Sequence, residues 1–389
     1  MKIVQLCLTA PYTDGMTYQE NLLSKYLQKL GHENEIISYV FPEKKGHFRD
    51  RRTPVRTENE FGMPAVYLRL KRPAGVCRVL RRFYGLYEVL EKAAPEMIFL
   101  HGPQFMDADQ VVRYVKSHPK VRLLADSHAD LTNSGRNWFS RHILHRFLWR
   151  NRAKLLLPFT ETFYGVLPAR VDFLREEYRL PDEKCELLLL AADDDRVREA
   201  GTPEFREMAR QKYGLTGDEF VIVTGGKINQ RRLGVLHLMQ AVASMPRKNL
   251  RLLVFGRPEE GLKERFQVLS ENERIRNLGW ISSDETYALF AAADLLIFPG
   301  RMHSVLWEQA VAQGKPCVFR RIPGETHVDL GGNAVFLEEA SEEELTRVLT
   351  ELLEHPEKLD EMRRCAEEKG RQVFSYLETA KRIIRDPQE

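Results

Sequence analysis

The stretch that decides the fold runs Phe220-Val221-Ile222-Val223-Thr224-Gly225-Gly226-Lys227-Ile228-Asn229-Gln230-Arg231-Arg232. Five β-branched or aromatic residues in succession, without polar alternation, fit a strand buried on both faces, as in a parallel sheet. Two glycines at its carboxyl end let backbone approach a ligand, and such strand ends are where open α/β sheets bind. Lys227 and Arg232 bring two positive charges toward that crevice, which suits a phosphate group. The P-loop spacing G-x-x-x-x-G-K-[ST] is absent, and no G-x-G-x-x-G follows the first strand, so no dinucleotide site is expected. Taken alone, the turn is equally well a solvated basic loop.

Working outward, the same rhythm recurs on both sides. Strands are expected at Ile3–Leu8, Glu35–Tyr39, Ala65–Leu70, Met97–Leu100 and Leu123–Asp126. It restarts after residue ~200 at Phe220–Thr224, Leu250–Phe255, Leu295–Phe298, Pro316–Phe319 and Ala334–Leu337, with helical patterns between. Strands joined by crossovers of about 15 or more residues imply parallel sheets covered on both faces. The fold class is therefore α/β with two Rossmann-like, doubly wound parallel sheets. The expected domains are residues 1–197, residues 198–372, and a terminal amphipathic helix over 373–389 that returns to the first domain. The interruption near 191–203, with Asp193, Asp194, Asp195 and Gly201-Thr202-Pro203, marks the boundary.

Composition narrows the class further. At 389 residues the chain exceeds the ~150 typical of one domain, and 43% apolar with 30% charged residues is globular. A net charge of +3 gives no overall field toward nucleic acid. Five scattered cysteines without a C-x-x-C pair argue against a disulfide framework or structural zinc and for a reducing cytosol. No apolar run approaches the ~20 residues that span a bilayer. The first residues read as a buried strand rather than a signal peptide.

A second segment follows the strand Leu295–Phe298: Pro299-Gly300-Arg301-Met302-His303-Ser304-Val305-Leu306-Trp307-Glu308-Gln309-Ala310, closing at Gly314-Lys315-Pro316. Ser304 is expected as N-cap and Gly314 as the stop. Free N–H groups at Ser304 and Val305 suit an anion. Glu308, one turn inside, has an ordinary dipole role, but beside a phosphate site its carboxylate is placed to accept from ribose hydroxyls.

The strand–loop–helix and the G-K…R turn together resemble the retaining glycosyltransferases of the two-Rossmann-domain type, glycosyltransferase family 4. Similarity is strongest from about Phe220 to Phe319 and thinner before it. The resemblance implies a GT-B architecture, two domains facing a cleft, and a nucleoside-diphosphate sugar of UDP or GDP type as co-substrate, with no other cofactor. By position, Lys227 and Arg232 match the two cations that neutralise the donor diphosphate. Glu308 matches the final Glu of the E-x7-E motif, which binds ribose. Gly300 stands where the family carries its first Glu, and His303 or Arg301 is expected to cover that region. Leu278-Gly279-Trp280-Ile281 resembles the base-holding segment, with Ile281 the expected contact; Trp280 reads more readily as a packing residue. Gly226 and Gly256 are expected to admit the nucleotide closely.

In the first half, Thr17 and Glu20 form a capping box behind Gly15, and in the family a glycine loop here touches donor phosphate and acceptor. Asp126-Ser127-His128 ends a strand, and family members carry a histidine in this place that contacts the transferred sugar, so His128 is carried over. His101-Gly102-Pro103 is a further candidate for the same cleft. Asp107-Ala108-Asp109 invites a metal reading, yet acids opening a helix are ordinary, and Lys227 with Arg232 offers a metal-free way to stabilise a leaving diphosphate. No metal is expected.

Two basic stretches remain. Nine Lys/Arg lie between Arg51 and Arg82, and Arg136, Arg141, Arg146, Arg150, Arg152 and Lys154 face no acid between Leu131 and Thr160. With Trp138, Phe139, Ile143, Phe147, Leu148 and Trp149 interleaved, the second suits either a packed helix face or an anionic membrane surface. The expected function is glycosyl transfer to an acceptor hydroxyl in polysaccharide or lipid-linked saccharide assembly, with saccharide or lipid-linked acceptors. The expected place is cytoplasmic, peripheral at the inner face of the membrane. A non-catalytic nucleotide-sugar-binding scaffold and a nucleotide-sugar epimerase share the fold and stay open at this point.

Overall fold

The computed structural model describes residues 1–40, 52–230 and 233–385. Arg232, expected at the diphosphate, and Arg51, at the head of the first basic stretch, lie outside the described residues. The chain divides into two compact units: Met1–Leu189 joined by the segment from Leu377 onward, and Leu190–Tyr376.

The first unit is built on β1 (Lys2–Leu6), β2 (Glu33–Val40), β3 (Val55–Glu58), β4 (Pro64–Arg69), β5 (Met97–His101), β6 (Arg122–Ser127), β7 (Phe163–Gly165) and β8 (Cys185–Leu187). Among the described residues their order is β3-β4-β2-β1-β5-β6-β7-β8, parallel throughout except for the β3–β4 pair. Central strands such as β1 and β5 are buried along nearly their whole length, which is why they read as unbroken apolar runs. The helix Gln19–Lys29 follows β1. It starts at Gln19 without any side-chain cap bond, so the expected Thr17–Glu20 capping box does not form. Gly31, at φ +83°, turns the chain out of its end.

The basic aromatic stretch forms a π-helical segment, Ser140–Trp149, continued by the α-helix Arg150–Leu156. His145 and Trp149 are buried, whereas Trp138, Phe139, Ile143 and Phe147 are exposed. Three of its arginines are already engaged: Arg141 and Arg146 both reach the buried Glu177 carboxylate, at 2.7 and 2.6 Å, and Arg150 Nε donates to the Glu177 carbonyl at 2.7 Å. The last helix, Tyr376–Ile384, places Arg382 on Glu186 at 2.6 Å and its carboxyl end on Arg122.

The second unit carries β9 (Phe220–Gly225), β10 (Leu250–Phe255), β11 (Ile275–Gly279), β12 (Leu295–Phe298), β13 (Cys317–Arg320) and β14 (Ala334–Leu337). Their order, β11-β10-β9-β12-β13-β14, is parallel in every pair. From β9 the chain winds outward through β10 and β11, then returns to the other side for β12, β13 and β14. The winding therefore reverses between β9 and β12, and a crevice at the carboxyl ends of those strands follows from topology alone.

Candidate functional site

At that reversal lies a pocket lined by Gly225, Val235, Phe298, Pro299, Gly300, Met302, Ser304 and Trp307. It joins the glycine turn after β9 to the loop after β12, the two segments singled out by sequence. The glycines have an immediate structural reason. A Cβ on Gly225 would stand 2.3 Å from the Phe255 carbonyl oxygen, and one on Gly256 only 1.9 Å from that of Gly226. The Gly226 N–H donates to Phe255 O at 3.0 Å and the Gly256 N–H to Gly279 O at 2.6 Å. Three strand ends are thus pressed together, and Gly226 and Gly256 serve that close approach first. Lys227, next along the turn, is exposed and makes no hydrogen bond or ion pair among the described residues.

The loop from Pro299 to Val305 packs under the start of the helix Gly234–Ser244, where a Cβ on Gly234 would meet Pro299 O at 2.4 Å. The helix Leu306–Ala312 follows with Val305 at its cap and no side-chain cap bond. Ser304 contributes its carbonyl, accepting from the Trp307 N–H at 2.9 Å, rather than a capping hydroxyl. Trp280 is 66% exposed, contrary to the packing role expected of it, while Ile281 is half-buried.

Glu308 is fully buried, and one of its oxygens, Oε1, accepts from two imidazoles: His303 Nε2 at 2.7 Å and His327 Nε2 at 2.8 Å. Oε2 is buried with no hydrogen-bond partner. Burial works to raise the Glu308 pKa, but the charges and hydrogen bonds of His303 and His327 outweigh it and hold the carboxyl at about 2. His327 was not anticipated from sequence. It stands in the loop after β13, 19 positions beyond Glu308, and the strand-end rule that picked out the other loops is the one signal that points to it.

In the first unit the winding reverses between β1 and β5, and a buried polar network occupies the corresponding strand ends. His101 Nδ1 lies 2.9 Å from Asp126 Oδ2, and its Nε2 lies 2.8 Å from Gln5 Oε1. The Gln5 amide is oriented by donating Nε2–H to Ser24 Oγ at 2.6 Å, so both His101 nitrogens face acceptors and the ring donates twice. Burial alone would lower the His101 pKa; the Asp126 charge and hydrogen bond raise it. Burial likewise opposes ionisation of Asp126, yet His101 and His128 drive its pKa well below the ordinary carboxylate range. His128 Nε2 is 3.6 Å from the same Asp126 oxygen and its side chain is 42% exposed. Gly15 sits on an exposed turn at φ +73° with open space around its Cβ position.

Two groups could offer three ligand atoms to a metal, each set within 4.8 Å: His101, Asp126 and His128, and His303, Glu308 and His327. In each, imidazole nitrogens already lie against the carboxylate. Asp107, by contrast, is committed to structure, receiving Lys71 Nζ at 3.0 Å, Arg82 Nε at 3.4 Å and the Phe83 N–H at 2.6 Å.

Two Rossmann-like units of parallel sheet, the second with a switch-point pocket between a glycine turn and a short helix, constitute the GT-B class of fold. Residues 219–355 match the family model described as Glycosyl transferases group 1. Sucrose-phosphate synthase from Thermosynechococcus elongatus is similar in structure, with a TM-score of 0.68 at 13% identity, over 98% of this chain and 97% of that one. HepE from Anabaena in complex with UDP superposes with a TM-score of 0.71 at 16% identity, over 98% of each chain. In sequence, mannosylfructose-phosphate synthase from Agrobacterium fabrum is 22% identical over 261 residues, 63% of this chain. The chain spans 55% of the length of that curated relative.

Proposed function

We propose that the protein is a glycosyltransferase that moves a sugar from a nucleoside-diphosphate donor to an acceptor hydroxyl, with retention of anomeric configuration and without a metal. The observation that carries this reading is the switch-point pocket of the second unit, with an uncommitted Lys227 two positions beyond its lining Gly225 and a buried Glu308, held ionised by two imidazoles, directly after its lining Trp307. Lys227 and Arg232 neutralise the diphosphate as the sugar C1–O bond to phosphate breaks, which is electrostatic stabilisation of developing charge. Glu308 accepts from the ribose, the His303–Ser304–Val305 loop lies along the phosphates, and Ile281 backbone groups meet the base, with the exposed Trp280 ring beside it. His128 touches the transferred sugar, and Gly15 lies near donor phosphate and acceptor. As the acceptor oxygen bonds to C1, its proton passes to the departing phosphate, so no protein base is required.

The donor is of UDP or GDP type, a reading supported by the UDP bound to HepE. The acceptor is a saccharide or a lipid-linked saccharide, in polysaccharide or lipid-linked assembly on the cytoplasmic side. The exposed Trp138, Phe139 and Phe147 beside Arg136 fit peripheral contact with an anionic membrane; no helix of the described residues is long and apolar enough to cross one.

The test is a thermal-shift panel of UDP, GDP, ADP and their sugars, followed by donor hydrolysis without acceptor. A ligand at about a hundred times its Kd stabilises the native state by about 2.7 kcal/mol, a shift of several degrees. Slow release of free sugar that disappears in Lys227→Ala supports transferase chemistry. Binding without turnover would favour a scaffold, product isomerisation an epimerase, and no stabilisation by any nucleotide would remove the reading.

A further inference from the structure

Glu308 is held in a way that its own helix does not explain. His303 comes from the loop after β12 and His327 from the loop after β13, yet both Nε2 atoms converge on Oε1, at 2.7 and 2.8 Å. A carboxylate oxygen has two lone-pair positions, so these two donors fill Oε1. The other oxygen, Oε2, is buried and unpartnered. Leaving a buried anionic oxygen unpaired is unfavourable, an arrangement that favours an arriving donor.

The two rings are themselves braced. His303 meets Trp307 edge-on, with centroids 5.4 Å apart, and His327 meets Phe374 edge-on at 6.3 Å. Their side chains are only 6% and 3% exposed. A free glutamate would lose rotamer entropy on binding; a side chain already locked by two donors loses far less.

We propose that His303 and His327 form a clamp that saturates Oε1 and presents Oε2 as the acceptor for a ribose hydroxyl, which makes His327 a positioning residue for donor recognition. This rests on the reading of Glu308 as the ribose ligand. The consequence is specific: the clamp sharpens discrimination between ribonucleotide and deoxyribonucleotide, because only the former brings the hydroxyl that Oε2 lacks. Loss of the clamp leaves base and diphosphate contacts in place.

The experiment is calorimetric titration of the full chain with UDP, GDP and ADP, taking the tightest binder forward with its 2′-deoxy and 3′-deoxy forms. Wild type should prefer the ribonucleotide over at least one deoxy form by about tenfold or more, the worth of a hydrogen bond to a charged group. In His327→Leu the preference should fall to within about twofold, while affinity for the deoxy form changes by less than about threefold. His327→Gln, which keeps an N–H donor, should retain most of the preference. His327→Asn, too short to reach Oε1, replaces the leucine variant if that one does not fold. Equal weakening of ribo and deoxy forms in His327→Leu, with the ratio intact, would overturn the clamp and leave the ribose reading standing. No ribo preference in wild type, or no nucleotide binding at all, would instead remove the role of Glu308 and the clamp with it.

Discussion

Glu308 and Lys227 answer to opposite physical demands. The anion is enclosed and depends on two imidazoles; the cation stands in solvent with no partner among the described residues. Because the Glu308 pKa is depressed to about 2, its ion pairing contributes stability above its unfolded value and loses it as pH falls through the folded value. At ~1.4 kcal/mol per pKa unit the contribution is a few kcal/mol. Urea unfolding of wild type and Glu308→Gln should therefore differ most at pH 6 and converge as the pH is taken from 5 to 3. A gap that stays constant over that range would mean that the histidines do not hold the carboxylate charged. Glu308 was readable from sequence because it lies on one short helix at a fixed distance from a strand. His327 was not, since its partner is 19 positions away and its loop has no periodicity to read. Trp280 went astray for a related reason: apolar character favours burial on average, but says nothing about a residue that a turn carries outward.

At the scale of elements, the central strands were legible, and of the edge strands only β14 was. The strands β1, β5, β9, β10 and β12 are almost wholly buried, so apolar runs announce them. By contrast β3, β8 and β11 are edge strands, and their outward residues, such as Arg56, Glu186, Arg276 and Asn277, break the pattern. The three-residue β7 is too short to show one. Ser304 fits the preference of helix caps, yet the loop geometry of Pro299–Val305 uses its carbonyl instead. The glycine cluster gives a sharp prediction at this scale. Gly256 combines φ +108° with a Cβ position 1.9 Å from Gly226 O, which is backbone and cannot swing away. Gly256→Ala should destabilise the second unit by more than about 3 kcal/mol and lower its thermal midpoint by roughly 6 °C or more. Gly261→Ala, with nothing near its Cβ, should stay within about 1 kcal/mol of wild type.

For the molecule as a whole, the two units divide the chemistry. The second carries the switch-point pocket; the first carries the Asp126 network and the exposed aromatic segment. Trp138 and Phe147 are 68% and 65% exposed, costly for surfaces that meet only water, and Arg136 stands among them. Flotation with vesicles containing about 30% anionic lipid should retain the wild type at low salt, since basic residues near such a surface are worth about 1 kcal/mol each. Trp138→Ser combined with Phe147→Ser should reduce the bound fraction several-fold without altering nucleotide binding. Equal retention of both proteins would refute membrane contact through this segment. Part of the charge in the basic stretch is already paired, because Arg141 and Arg146 reach Glu177, which lies outside that stretch.

Local pattern was sufficient for the two α/β sheets, the glycine turn with its lysine, and the acidic residue one turn into the helix after β12. Burial on both faces leaves unbroken apolar runs, and a parallel sheet puts its loops where ligands bind, so each of these is written within a few consecutive residues. The histidine clamp on Glu308, the doubly donating His101, the contact of Gly256 with Gly226 and the outward face of Trp280 came only with the folded chain. Those features arise where segments remote in sequence converge, and no short-range periodicity encodes which side chains will meet there.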